Sequence, residues 1–339
     1  MKILIATDAW DPQVNGVVRT LKQTSREAAA LGSAVEFLAP DSFRTVPCPG
    51  YPEIRLSLTG AGGIARRIEE IAPQAIHIAT EGPIGHGVRK YCLRRGLTFT
   101  TSLHTRFPDY LAKRINVPGT AALTWRLLRK FHAPSAAILA ATPGLKSELE
   151  SRGFNNVRLW ARGVDSNLFR PRDGDLGLPR PIFLTVGRVA TEKNLPAFLS
   201  LDLPGTKVVV GDGPSLDDLQ RRFPDAVFLG AQHGEQLART YAAADVFVFP
   251  SLTDTFGLVL LEALASGVPV AAFPAAAPRD VIGDSGVGAL NDDLRQACLD
   301  ALTIGRAACR DFASKLTWRA STEAFLAHIA AANAARAAA

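Results

Sequence analysis

The sequence predicts two doubly wound α/β domains, each a parallel sheet wrapped by helices. Three observations predict it. Short apolar runs alternate with helix-length stretches along the whole chain. The alternation breaks once, at a Pro-, Gly- and Asp-rich stretch over residues 169–181, and then restarts. The 339 residues, 47% of them hydrophobic, suffice for two cores of ordinary size.

Taken in order, Ile3-Leu-Ile-Ala6 is an apolar run cut off by Asp8, too short for a signal peptide, and reads as the first strand over 2–7. A helix over 16–31 follows, then strands at 34–39, 75–79, 97–102 and 136–140. After the Pro-rich stretch, read as a linker, strands are expected at 182–186, 207–210, 226–229, 246–249 and 268–273, each followed by a loop and a helix. Val246-Phe-Val-Phe249 is β-branched and aromatic throughout, the signature of a strand buried on both faces. The next helix starts near Phe256 and ends at Gly267, where a left-handed cap is expected, with Pro269 just beyond. The Ala-rich tail, 319–339, reads as a helix returning to the first domain. The expected division is therefore 1–171, 172–318 and the tail helix 319–339, with ligands at the carboxyl ends of strands in a cleft between the two domains.

Composition narrows the function. No apolar run approaches the roughly 20 residues of a membrane span. Cys48, Cys92, Cys298 and Cys309 show no metal-ligand spacing and read as reduced, mostly buried thiols of a cytoplasmic protein. The net charge of +6 is uneven: residues 1–170 carry 23 Lys and Arg against 13 Asp and Glu, residues 171–339 carry 15 against 19. A basic front half points to an anionic membrane surface or another polyanion. Basic residues are not interleaved with aromatics along a strand and no nucleic-acid module is present, which argues against nucleic acid.

The chemistry concentrates in the second half. Glu262 lies within Leu258-Val-Leu-Leu-Glu-Ala-Leu-Ala265, a helix with almost no polar face. A buried carboxylate needs hydroxyls or cations around it. The plainer alternative puts Glu262 on a solvent face and leaves Asp254 as a loop acid. The start of this helix offers free amides from Thr255, Phe256 and Gly257 and the positive end of a dipole to a phosphate. After the strand 182–186 comes Gly187-Arg188-Val-Ala-Thr-Glu-Lys193-Asn194, whose two cations suit a diphosphate and can stabilise a departing nucleotide without a metal ion. The strand after that ends in Gly211-Asp-Gly213, a tight turn at its carboxyl end.

With these residues the chain resembles the retaining glycosyltransferases of family four, over nearly its whole length. The resemblance rests on Gly187, Arg188, Glu192, Lys193 and Asn194, on Gly211, Asp212 and Gly213, and on Asp254 and Glu262, eight apart, with Phe256 and Gly257 between them. It extends to Asn15-Gly16-Val17, to Leu103-His104-Thr-Arg106-Phe-Pro-Asp-Tyr110, and to Arg162-Gly-Val-Asp165 with Phe169 and Pro171. It is nearest to enzymes that glycosylate diacylglycerol and related lipids, including sulfoquinovosyl- and mannosyltransferases. The resemblance implies the GT-B fold, two Rossmann-like domains facing a cleft, with an N-terminal acceptor domain and a C-terminal nucleotide-sugar domain. It implies that Glu262 holds ribose hydroxyls, that Arg188 and Lys193 hold the diphosphate, that Gly16 lets its loop approach the phosphates, and that His104 contacts the donor sugar. Gly211, Phe256, Gly257 and Leu258 join the donor site. Asp254 stands where the family more often has glutamate, one methylene longer, and Ala275-Ala-Ala-Pro278 lacks the family's usual glycine. No residue stands out as an enzymic nucleophile, so a front-face displacement with retention is expected, with His104, Arg188, Lys193 and Asp254 as the catalytic set and no cofactor or metal.

The donor is expected to be a UDP-sugar, with GDP-mannose as the alternative, and the acceptor a lipid such as diacylglycerol on the inner face of the cell membrane. Arg106, Lys113, Arg114, Arg126, Arg129 and Lys130 cluster among Leu111, Ile115, Val117, Leu123, Trp125, Leu127, Leu128 and Phe131, a basic segment with apolar edges suited to a membrane surface. Glu81, Arg106, Tyr110 and Arg129 are the acceptor-side candidates. Solvated helix faces packing on the sheet are the alternative to the lipid reading, and a soluble or polysaccharide acceptor is the alternative substrate. One rival motif, Gly60-Ala-Gly62-Gly-Ile-Ala65 with Glu81 further on, fits a dinucleotide fingerprint and would mark an NAD-dependent oxidoreductase, but it does not lie at the first strand–helix turn. Asp173-Gly-Asp175 reads as turn chemistry rather than a metal pair.

Overall fold

The computed structural model describes residues 1–13, 15–48, 51–104 and 119–337. The chain divides into two compact units, residues 1–161 with 318–339, and residues 162–317.

The first unit is built on β1 (Lys2–Ala6), β2 (Ala34–Leu38), β5 (Ala75–Ile78), β6 (Thr100–Leu103), β7 (Ile138–Ala140) and β8 (Val157–Leu159), all parallel, in the order β2-β1-β5-β6-β7-β8. Residues 3–6 of β1 are fully buried because successive side chains enter different cores. Ile3 and Ile5 pack with Trp160 and Phe325, whereas Leu4 and Ala6 pack with Ile64, Ile78 and Phe131. The order reverses between β1 and β5, so the loops after these strands face each other at their carboxyl ends.

The second unit repeats the plan with β9 (Ile182–Val186), β10 (Thr206–Val210), β11 (Val227–Phe228), β12 (Val246–Phe249), β13 (Val270–Ala272) and β14 (Gly288–Leu290), in the order β11-β10-β9-β12-β13-β14. The register Phe183↔Val246 and Leu184↔Phe247 brings β9 and β12 together, 60-odd residues apart in sequence. The reversal of order falls between them. The cationic loop after β9 and the acidic loop after β12 therefore start side by side.

Several expectations need correction. The expected strand over 97–102 is instead Thr100–Leu103, and the helix expected from Phe256 begins at Leu258. An antiparallel ribbon, β3 (Thr45–Cys48) with β4 (Tyr51–Ser57), and the edge strands β8 and β14 were not anticipated. The boundary expected after residue 171 lies after Ala161, and the tail helix starts at Trp318. The Pro-rich stretch is no free linker. Phe169 is buried edge-on to Tyr241, Leu176 and Leu178 pack on the same core, and Val164 bridges Thr317. Arg310 fixes this segment by donating to the carbonyls of Ser166 and Phe169 as well as Ala265.

The tail helix Trp318–Ala337 docks on the first unit: Ser321 donates to the Ala161 carbonyl at 2.6 Å, Asn333 to that of Gln74 at 3.2 Å, and Phe325 is fully buried. The dinucleotide reading of Gly60 and Gly62 fails on geometry. The strand before them belongs to the antiparallel ribbon, not to the parallel sheet whose strand–helix turn the fingerprint requires. Asp175 accepts from the Gly177 amide at 2.8 Å, the turn chemistry its sequence suggests.

Candidate active site

The loop after β9 is shaped by glycine at its neighbour. A Cβ on Gly211 would sit 1.8 Å from the Gly187 carbonyl oxygen, and Gly211 has φ +145°, so only glycine lets the two loops run this close. The Gly211 amide is itself spent on the Gly230 carbonyl at 2.8 Å. Gly211, expected at the donor, packs against the Gly187 backbone in the structure.

From Gly187 the chain passes Arg188, which is one-third exposed, with a guanidinium nitrogen 4.0 Å from Glu192. A short 3-10 turn, Thr191–Lys193, delivers Lys193. Asn194 ends that turn in the left-handed region, φ +55°, and its amide donates to the Pro250 carbonyl at the end of β12. Ser251 and Thr253 donate to the Glu192 carbonyl at 3.5 and 3.4 Å. The two loops are thus stitched together, and Lys193 Nζ meets both carboxylate oxygens of Asp254, at 2.7 and 2.9 Å. Asp254 was expected in the catalytic set. In the structure both its oxygens face Lys193.

Gly257, φ +76°, leads into the helix Leu258–Ala265, which no side chain caps. Phe256 packs on the core behind the helix start, and Leu258 is half-buried at the first turn. Glu262 is 3% exposed. Its Oε2 accepts from the hydroxyl of Tyr241, itself fully buried, at 3.0 Å. Burying a carboxylate in apolar surroundings costs several kcal/mol, roughly, and a buried hydroxyl offsets part of that while aiming the group. Tyr241 was missed in the sequence because Gly234–Ala243 reads as an ordinary amphipathic helix.

In the first unit, Asn15 caps the helix Gly16–Ala30, its side-chain oxygen accepting from the amides of Val17 and Val18, so Gly16 opens that helix. Asp8, at the end of β1, caps another. Its carboxylate accepts from the amides of Ile84 and Gly85 and from Thr80. Burial raises its pKa, against the pull of those hydrogen bonds. His104 stands just past β6, its Nε2 2.9 Å from the Ser102 hydroxyl and its ring edge-on to Trp160.

The acceptor-side candidates separate. Glu81 pairs with the buried ring of His132 at 3.2 Å. Arg129 donates to the Arg152 carbonyl at 3.2 Å, at a helix end. Arg106 and Tyr110 lie outside the described residues, as do Lys113 and Arg114. On the helix Thr120–His132, Trp125, Leu128 and Phe131 face the core, while Leu123 and Leu127 are 58% and 57% exposed beside exposed Arg126 and Lys130. Among the described residues no three His, Cys, Asp or Glu side chains group as metal ligands, and no helix is long and apolar enough to cross a membrane.

Residues 14–168 match the family described as Glycosyltransferase Family 4, and residues 180–303 match Glycosyl transferases group 1. A GDP-mannose-dependent alpha-mannosyltransferase of Mycobacterium tuberculosis is 31% identical over 316 residues, covering 86% of this chain and 83% of the relative. The chain is a family-4 glycosyltransferase. This glycosyltransferase is also 33% identical to the sulfoquinovosyl transferase of Arabidopsis thaliana, of which it spans 61% of the length and which matches 82% of its own. It is 27% identical to the alpha-monoglucosyldiacylglycerol synthase of Streptococcus pneumoniae over 89% of this chain and 78% of that one. Its fold matches that of sucrose-phosphate synthase from Thermosynechococcus elongatus, TM-score 0.76 at 20% identity over 95% and 96% of the two chains. The Anabaena protein HepE in complex with UDP gives TM-score 0.71 at 13% identity over 98% and 100%. The fold is GT-B.

Proposed function

We propose that this glycosyltransferase moves a hexose, with retention of anomeric configuration, from a nucleoside-diphosphate sugar to a lipid such as diacylglycerol at an anionic membrane surface. The donor is a UDP-sugar in preference to GDP-mannose. The second unit binds the donor and the first unit the acceptor.

The observation that carries this reading is the stitched pair of loops at the carboxyl ends of β9 and β12, where Lys193 is locked to Asp254 beside the helix that holds Glu262. Glu262, aimed by Tyr241, accepts from the ribose hydroxyls. Arg188 and Lys193 neutralise the diphosphate, helped by the amides at the start of Leu258–Ala265. As the bond from the anomeric carbon to the phosphate oxygen breaks, that oxygen takes the acceptor hydroxyl's proton, and the acceptor oxygen bonds the same face of the sugar. Fixed charge aimed at the leaving group supplies most of the rate enhancement. His104 contacts the transferred sugar.

The acceptor half draws on the exposed Leu123 and Leu127 beside Arg126 and Lys130, and on relatives whose names record sulfoquinovosyl and glucosyl-diacylglycerol chemistry. The test is a panel of labelled sugar nucleotides with purified protein and anionic vesicles carrying diacylglycerol, followed by lipid extraction. Label in the lipid supports the reading. Release of nucleoside diphosphate with label left in water keeps the donor and sinks the lipid acceptor, and no turnover with any donor sinks both.

A further inference from the structure

Strand β6 is fully buried, yet it reads Thr-Thr-Ser-Leu rather than the Val and Ile usual in a parallel sheet. Buried hydroxyls are retained where they are hydrogen-bonded. Thr100, Ser102 and His104 are two residues apart and share one face of the sheet. The register of β5 on β6 sets His77 opposite Thr100 on that same face.

The four side chains form one continuous chain of contacts. Thr100 Oγ1 lies 2.8 Å from His77 Nδ1, His77 Nε2 lies 3.0 Å from Ser102 Oγ, and Ser102 Oγ lies 2.9 Å from His104 Nε2. His77 and Ser102 are fully buried. Trp160 meets both imidazoles edge-on at 5.9 Å, and Phe325 from the tail helix meets His77 at 5.1 Å, so both ring planes are held.

A serine hydroxyl has one hydrogen, so between two imidazole Nε2 atoms it donates to one and accepts from the other. The tautomers of neutral His77 and His104 are therefore linked in a fixed sense. Thr100 sets the sense. Among the described residues the recorded partner of its hydroxyl is His77 Nδ1, and a buried O–H left undonated is costly, so Thr100 donates to Nδ1. His77 then carries its proton on Nε2 and donates to Ser102. Ser102 donates to His104 Nε2, which leaves the proton of His104 on Nδ1.

We propose that Thr100, His77 and Ser102 are positioning residues that hold His104 in the Nδ1–H tautomer for its part in the reaction. This rests on the reading of His104 given above. Only the direction of the bonds goes beyond the distances, and that direction can be measured.

The experiment is nitrogen-15 NMR of the six histidines in the full-length protein, with the His104 signals assigned by comparison with His104→Gln. It is run on wild type, Ser102→Ala, Ser102→Thr and His77→Phe, beside kcat and KM for the sugar nucleotide. Wild type shows His104 protonated at Nδ1 and bare at Nε2. Ser102→Ala and His77→Phe lose that preference and lose tenfold or more in kcat with less than a threefold change in KM, and Ser102→Thr, which keeps the hydroxyl, restores both. His104 carrying its proton on Nε2 in wild type, or an unchanged tautomer and kcat in Ser102→Ala, overturns the proposal. Wild type that turns over no sugar nucleotide overturns the function reading instead, and the NMR comparison still decides the tautomer.

Discussion

Lys193 and Asp254, 61 residues apart in sequence, are joined by two contacts, at 2.7 and 2.9 Å, from one ammonium to both oxygens of one carboxylate. An ammonium has three hydrogens, so two bonds to Asp254 leave one, which the proposed function assigns to a phosphate oxygen. The carboxylate aims that remaining donor. The pair is a quarter exposed, where ion pairs contribute about 1 kcal/mol or less to folding, so its value lies in positioning.

Lys193→Ala is therefore expected to lower kcat by about 10²–10³-fold, the usual effect of removing one preorganised donor from a developing anion, with the melting midpoint nearly unchanged. Asp254→Asn keeps the ammonium but loosens it, and gives a smaller loss. Steady-state kinetics with thermal melts check this. A large drop in midpoint with normal turnover would make the pair structural.

Tyr241→Phe removes the hydroxyl that aims Glu262 and keeps the ring volume. A hydrogen bond to a charged group is worth roughly 1.5 kcal/mol, so the Kd of nucleoside diphosphate should rise about tenfold, with kcat at saturating donor little changed. Calorimetry on the variant checks this.

Arg310→Ala removes three carbonyl contacts that tie the helix Arg306–Ser314 to residues 166, 169 and 265. The expected loss is about 2–4 kcal/mol. Hydrogen exchange should show the amides around Phe169 opening first. Unchanged protection there would deny the segment its anchoring.

Burial pushes the thiols of Cys92 and Cys298 up to about 12 and that of Cys309 up to about 11. Because the thiolate is the reactive form, these three should resist a thiol reagent at pH 8 in the native protein, while half-buried Cys48 reacts first. The sign for stability follows. Between the ordinary value of 9.0 and these raised values the unfolded chain has lost protons that the native chain keeps, so stability falls as pH rises through that window. Serine at Cys92 and Cys298 should flatten the alkaline limb.

Reversing two charges, Arg126→Glu with Lys130→Glu, should weaken binding to anionic vesicles more than tenfold, since each basic side chain near such a surface contributes about 1 kcal/mol. Donor binding should be untouched. Vesicle flotation with and without salt checks it.

The sequence announces what is written in apolar runs. β9 and β12 fall where expected because Ile182–Val186 and Val246–Phe249 are uninterrupted and bounded by Gly187 and Pro250. β6 starts three residues later than expected because the apolar Leu97 and Phe99 just before it extend the strand pattern without joining the sheet. The ribbon β3–β4 hid behind Pro47 and a bulge next to it. The donor-side residues were legible as a motif, but not their joining. The stitching by Asn194, Ser251 and Thr253, the Lys193 pair and the Tyr241 contact depend on a strand register that local pattern does not carry.

In the proposed function the second unit holds a nucleoside diphosphate through Lys193 and Glu262. The most direct measurement is calorimetric titration of UDP and GDP into wild type, Lys193→Ala and Glu262→Gln. Saturable binding of one nucleotide to wild type, weakened more than tenfold in each variant, is the expected result. Wild type that binds neither nucleotide, or variants that bind as tightly as wild type, would contradict it.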